Sequence, residues 1–308
     1  MNISLTGNLG SGKSSLGKEL IARGFEIVSS GDIFRGLAAE RGVSIVEMNE
    51  IAKTDKSIDK MVDDRTVALG KEKDHAIFDS RMGWYFVPDS FKVFVMVDLA
   101  EAGRRVYHDS VRKAEEYENE AAAVKALYTR QSMEKERYRG LYGVNYYQMS
   151  NYDLVIDSTK ATPKEIAEEI IRRFRAFEQG DKSHAMLLSP YRIYPSEQAY
   201  EQVEKASTKT DEQAVETLPK QNDEQMKEES TKPVEVTVKD GKWYAVSGMD
   251  RLIAAQRRGE PFVSAVVCDR EINCTRELCA KVEKEGGFQY RVYPEQAEEY
   301  SNENLIDN

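Results

Sequence analysis

The sequence predicts an α/β fold, a parallel sheet with helices on both faces, followed by a smaller α+β unit. Three observations carry this. Short apolar runs alternate with helix-periodic stretches over residues 1–178, and strands separated by helices give a parallel sheet. The first run, residues 2–6, breaks into a glycine-rich turn ahead of an amphipathic stretch. From Val234 the order becomes strand, Asp240-Gly241 turn, strand, helix, strand, as in a unit built on a hairpin. A chain of 308 residues suggests about two domains. The expected division is 1–180 and 181–308.

The elements follow in order. Residues 2–6 form a strand. Leu16, Leu20 and Ile21 recur at helical spacing over residues 14–23, and Gly24 stops that helix. Residues 25–28 read as a second strand. Helices are expected over 32–41, ended by Gly42, and over 45–52 and 58–69. The nearly unbroken apolar runs at 75–78 and 92–98 read as strands buried on both faces. Residues 101–112 and 121–138 have helical patterning, and 152–156 make a further strand. Thr162 and Pro163 open a helix to about Phe177, with Thr as N-cap and Pro at the first helical position. Residues 201–233 hold few apolar side chains, and none is aromatic. Such a segment buries too little to offset its ordering entropy, so a polar flexible linker or long loop is expected there. A tyrosine-rich phrase beginning at Tyr191 (Tyr-Arg-Ile-Tyr-Pro) is echoed at Tyr290 (Tyr-Arg-Val-Tyr-Pro). Two copies do not make a repeat fold.

Composition narrows the function classes. Hydrophobic residues at 40% exclude a wholly disordered chain. Basic and acidic side chains number 44 and 54, and the acidic excess lies mostly after residue 180, where 17 face 25. With a pI near 5.1, binding along a nucleic-acid backbone is not expected. No apolar run approaches the ~18 residues of a membrane span. A chemical motif already begins at Gly7, so no leader peptide and no membrane partner are expected. Three cysteines without CxxC spacing argue against a disulfide framework or zinc site and fit a reducing cytoplasm. The three histidines show no ligand spacing.

The sharpest signal is Gly7-Asn8-Leu9-Gly10-Ser11-Gly12-Lys13-Ser14, followed by Ser15. It satisfies GxxxxGK[ST] between an apolar strand and an amphipathic helix, the context a P-loop requires. Glycines let successive backbone N–H groups turn inward toward phosphate oxygens, and the helix N-terminus adds partial positive charge. Lys13 is expected at the β- and γ-phosphates of ATP, and Ser14 on Mg²⁺. Together with the parallel sheet, this makes the first unit a three-layer P-loop NTPase fold.

Two arginines stand at strand ends beside this loop, Arg35 in Ser30–Arg35 and Arg81 in Asp79-Ser80-Arg81. Guanidinium groups suit bidentate phosphate binding, so the pair is expected to hold a second phosphate in line with the first. Asp79 is placed to hold Mg²⁺ through water. Between Lys113 and Arg139 a charged helical stretch follows Arg104, Arg105 and Arg112. At least one of Arg112, Arg130 and Arg137 is expected to close over the transferring group.

With these residues in place, 1–178 resembles the nucleoside monophosphate kinases, most closely the compact archaeal-type cytidylate kinases. The P-loop, the run from Val28 through SSGDIFRGLAAERG, the DSR triplet, RQSMEKERYRGLYGVN and YDLVIDST carry the resemblance. It implies MgATP-dependent phosphorylation of a nucleoside monophosphate, with Arg35 and Arg81 on the acceptor phosphate and Asp32 beside the acceptor nucleoside. It places Arg130 and Arg137 in a lid, and residues 157–162 near the ATP base. The family usually has Glu-Gly-Arg where this chain has Asp79-Ser80-Arg81, which predicts a more crowded acceptor side. Two alternatives stay open, namely a nucleotide-binding regulator without kinase activity, and a kinase with a different small acceptor. Residues of about 186–270 resemble, more distantly, the ParB/sulfiredoxin-like domains, through KPVEVTVKDGKWYAVSGMDRLIAAQRRGEPFVSAVV. Gly-Met-Asp-Arg stands where that family has Gly-His-x-Arg, so a structural or ligand-sensing module, or a contact for a protein partner or second copy, is expected there.

Overall fold

A computed structural model describes residues 1–109, 117–201, 232–239 and 241–286. Most of the polar segment expected at 201–233, the echo at Tyr290, Asp240 and Arg112 lie outside the described residues. Strands β1 (Ile3–Gly7), β2 (Glu26–Ser29), β3 (Ala76–Asp79), β4 (Phe91–Met96) and β5 (Leu154–Asp157) pair in parallel in the order β2-β3-β1-β4-β5. β1 and β5 are buried at every position and β4 at all but Lys92, as the unbroken apolar runs predict.

Helices α1 (Lys13–Ile21), α2 (Ser30–Glu40), α3 (Ile45–Thr54), α4 (Ser57–Glu72), α5 (Gly83–Phe86), α6 (Leu99–Tyr107), α7 (Glu120–Tyr142) and α8 (Pro163–Glu178) cover this sheet. The capping chemistry is as the sequence implies. Thr162 caps α8 with Glu165 reaching back and Pro163 at the first helical position, and Ser44 and Glu47 do the same for α3. Leu16 and Leu20 of α1 pack with Ile166, Ile170 and Phe174 of α8 on Ile3, Leu5, Val93 and Ile156. The four-residue α5 escapes sequence reading because one turn carries no periodicity.

After α8 the chain does not start a sheet of its own. β6 (Ala185–Leu188) pairs in parallel with β5, and β10 (Val263–Val267) pairs antiparallel with β6. β8 (Val234–Lys239), β9 (Lys242–Ser247) and β7 (Ile193–Tyr194) extend the sheet to ten strands among the described residues. α9 (Met249–Arg258) ends at Gly259, with α10 (Arg276–Gly286) beyond. The two expected units therefore share one sheet. They also share a core, in which Phe94, Tyr147 and Tyr152 belong to the same apolar cluster as Trp243, Met249 and Leu252. β6 went unread because Ala-Met-Leu-Leu contains no β-branched residue. No helix among the described residues is long and apolar enough to cross a membrane.

Candidate phosphoryl-transfer site

The loop between β1 and α1 has a geometry that glycine alone meets. A side chain at Gly7 would begin 2.3 Å from the Val95 carbonyl oxygen, and Gly10 and Gly12 have φ of 76° and 82°. L side chains avoid that region. Gly12 caps α1 with no side-chain bond. Among the described residues the amides of Gly10, Gly12 and Ser14 donate to no protein acceptor, and the buried Ser11 hydroxyl has no partner. Buried polar groups are ordinarily satisfied, so these donors fit an external anion at a helix N-terminus. The Lys13 ammonium folds back to 3.5 Å from the Gly7 carbonyl. Ser14 and Ser15 are exposed.

The inward run of amides is shorter than the motif suggests. Asn8 N–H donates to Val95 (3.0 Å), and Leu9 N–H to the Gln131 side chain (3.1 Å). Both amides are spent on the protein, so the free donors begin at Gly10. Gln131, wholly buried in α7, also accepts from the Asn8 amide and the Tyr147 hydroxyl. Sequence reasoning missed it, since a glutamine among charged helix residues looks like surface.

At the ends of β2 and β3 the expected acceptor residues are each held by neighbours. Arg35 pairs with Asp32, whose carboxyl the Ser29 hydroxyl and then Arg35 hold below its ordinary value. The largely buried Arg81 donates to Glu134 of α7 at 2.9 Å. Burial opposes its charge, and Glu134 together with Tyr146 and Tyr147 more than offsets that. Arg130 reaches the same Glu134 (3.2 Å), and Arg137 reaches Asp59 of α4 (2.6 Å). Near the end of α7, Tyr142 donates to Asp63, whose carboxyl burial raises above its ordinary value. Both expected lid arginines thus lie on the helix that crosses Arg81.

Ser80 bonds within its own turn and to β1. Its hydroxyl accepts from the Met82 amide (3.2 Å), inside its own turn, and its carbonyl accepts from Thr6 (3.0 Å). Asp79 ends β3 beside Leu5 of β1, and its carboxylate has no protein partner among the described residues. The exposed Ser14 hydroxyl and this free carboxylate are the hard oxygen donors that Mg²⁺ prefers.

A cavity of about 950 Å³ opens beside the loop. Ser11, Gly12 and Ser15 line one part, and Arg104, Arg105 and residues 158–161 another. Arg105 ties the two together, donating to the Ser158 carbonyl (2.7 Å) and reaching the Gly10 carbonyl (3.5 Å). Residues 157–162, expected near the ATP base, thus border a space that begins at the phosphate loop. In the C-terminal unit Arg251 folds back against Gly248, where an added Cβ would lie 2.3 Å from its guanidinium.

The comparisons with known proteins bear on this arrangement. A cytidylate kinase from Methanocella arvoryzae is 30% identical over 174 residues, covering 56% of this chain and 95% of that protein. One from Methanococcoides burtonii is 32% identical over 167 residues, covering 52% and 89%. An S-adenosylmethionine-dependent nucleotide dehydratase from Lacinutrix mariniflava is 31% identical over 175 residues. These are 56% of this chain and only 36% of the dehydratase. A solved shikimate kinase from Bacteroides thetaiotaomicron aligns at TM-score 0.40 and 12% identity, over 57% of this chain and 98% of that one. The model of the cytidylate kinase-like family matches residues 2–160. Since that match runs from the start of β1 into the loop after β5, the stretch that builds this site, the chain belongs to the cytidylate kinase-like family.

Proposed function

We propose that this protein is an ATP-dependent phosphotransferase that converts a nucleoside monophosphate of the CMP or dCMP type to its diphosphate. One observation carries the reading: unpaired donors at Gly10, Gly12, Ser14 and Ser11 surround the start of α1 beside Lys13. A triphosphate tail supplies the acceptors they lack. Lys13 carries positive charge to the transferring phosphoryl group. A phosphate oxygen of the acceptor forms a bond to the γ-phosphorus as the bond to the leaving ADP oxygen breaks. Arg35 and Arg81 orient the acceptor phosphate, Asp32 lies beside the acceptor nucleoside, and Arg130 and Arg137 stabilise charge from α7. Ser14 and Asp79 are the residues that would hold Mg²⁺, which supplies charge neutralisation on the phosphate oxygens.

Arg81 is occupied by Glu134 and Arg35 by Asp32. An acceptor phosphate must therefore displace two carboxylates, which keeps a nucleotide-binding regulator as the second reading. Likeness to a protein named as a nucleotide dehydratase fits a nucleotide ligand. Three cysteines without CxxC spacing fit a reducing cytoplasm. Assays of MgATP with CMP, dCMP, UMP and AMP separate the readings. Turnover of CMP or dCMP supports the kinase. ATP binding with no turnover of any of the four replaces it with the regulator or with a kinase for another acceptor.

A further inference from the structure

The cavity beside the phosphate loop has a wall supplied from beyond the family match. Tyr191 and Arg192, in a 3₁₀ turn (Pro190–Arg192) between β6 and β7, line the same space as Ser11, Gly12 and Lys160. This turn is firmly anchored. Arg192 is almost fully buried, donates to Asp157 at 2.8 Å and lies 3.8 Å from Asp98. The Ser189 amide donates to the same Asp157 carboxylate (3.2 Å). A buried guanidinium between two buried carboxylates is tolerated only when so paired, and the pairing fixes the turn to the ends of β4 and β5.

Tyr191 is held from the other side as well. Its hydroxyl donates to the Gln256 carbonyl in α9 (3.1 Å), and the Gln256 amide returns a bond to the Pro190 carbonyl (2.9 Å). Its ring lies 5.7 Å from the Lys160 ammonium. The cavity lining thus combines the polar loop residues Ser11, Gly12 and Ser15 with the ring of Tyr191 and the apolar Pro163 and Ile166. Phosphates suit the loop residues, and a planar heterocycle suits the aromatic and apolar ones. Aromatic side chains supply such bases with a stacking face that tolerates any base.

We propose that Tyr191 is a base-positioning residue for the donor nucleoside triphosphate, so that the segment after α8 completes the donor site. This rests on the kinase reading of the phosphate loop. The turn that presents Tyr191 is bonded to α9, so the C-terminal unit is part of the nucleotide site.

Calorimetry on the full chain tests this with two probes, ATP and inorganic tripolyphosphate. Tyr191→Leu, which fills the space without a π face, is expected to weaken ATP roughly five- to tenfold. It is expected to leave tripolyphosphate within about twofold, since that probe engages only the loop residues. Tyr191→Phe is expected to restore ATP binding to within about twofold. The proposal is overturned if Tyr191→Leu binds ATP as wild type does, or if both probes weaken in parallel. A wild-type chain that binds neither probe overturns the phosphate-loop reading itself. Tripolyphosphate binding with no effect of Tyr191→Leu on ATP overturns only the role of Tyr191.

Discussion

The donor and acceptor sides of this site are built from different materials. On the donor side the binding groups are backbone amides and a buried hydroxyl, set by glycine conformations and left unpaired. On the proposed acceptor side they are arginine side chains, each paired with a carboxylate, Arg35 with Asp32, and Arg81 and Arg130 both with Glu134. A backbone cradle cannot rotate away from its task, so it is organised before any ligand arrives. Long cationic side chains beside a sheet end pair with carboxylates until an anion displaces them. On the proposed reading, the donor side is preformed and the acceptor side needs an exchange of partners.

The largest effect that tests this contrast is at Lys13. Replacing it with alanine removes the ammonium beside the loop amides and should cut turnover by about 100-fold or more, measured in a coupled ADP assay. Full activity in that variant would end the phosphoryl-transfer account. Arg81→Gln should raise the acceptor KM by about tenfold or more and shift the KM for ATP by no more than about twofold. Equal shifts in both would show that the two sides are not separate.

Acid should act on the carboxylates rather than on the backbone cradle. Asp32, Glu47 and Glu165 all have carboxyls held below their ordinary values of 3.8, 4.5 and 4.5. The fold keeps them charged where the unfolded chain protonates them. Their contribution is thus fully present above about pH 5 and is lost as pH falls through their lower folded values. Asp63 works the other way. Its raised folded value makes stability decline as pH rises from 3.8 toward that value. Denaturant midpoints followed from pH 7 to pH 3 should fall on the acid side, and a flat profile would show these contacts to be inert.

The smallest effect belongs to Ser80→Gly. It loses the bond from the Met82 amide and gains chain entropy in the unfolded state, a cost of about 1 kcal/mol. Turnover should stay within about twofold, because the hydroxyl is turned into its own loop. A large rise in activity would instead show that Ser80 obstructs the acceptor.

Much of this was legible beforehand. GxxxxGK[ST] between a strand and a helix located the phosphate loop, because glycine and lysine at that spacing answer a local backbone requirement. Thr162 and Pro163 marked the start of α8 for the same reason. Gln131, Glu134, Tyr191 and Arg192 were not legible as site residues. Each meets a partner between 35 and 123 positions away, and no local spacing records such a meeting. The end of the first unit at 180 was read from composition, yet composition says nothing of β6, whose pairing with β5 depends on an edge built from residues far upstream.

What the sequence determined by itself is local: the alternation of strands and helices, the caps, and a loop whose glycines permit one anion-binding shape. Tertiary structure alone decided that Glu134 occupies Arg81 and that Gln131 takes the Leu9 amide of the loop. It also decided that the C-terminal strands continue the kinase sheet to bring Tyr191 beside the phosphate loop. Those outcomes depend on which buried donors and acceptors must satisfy one another once the chain is packed, and that accounting exists only in three dimensions.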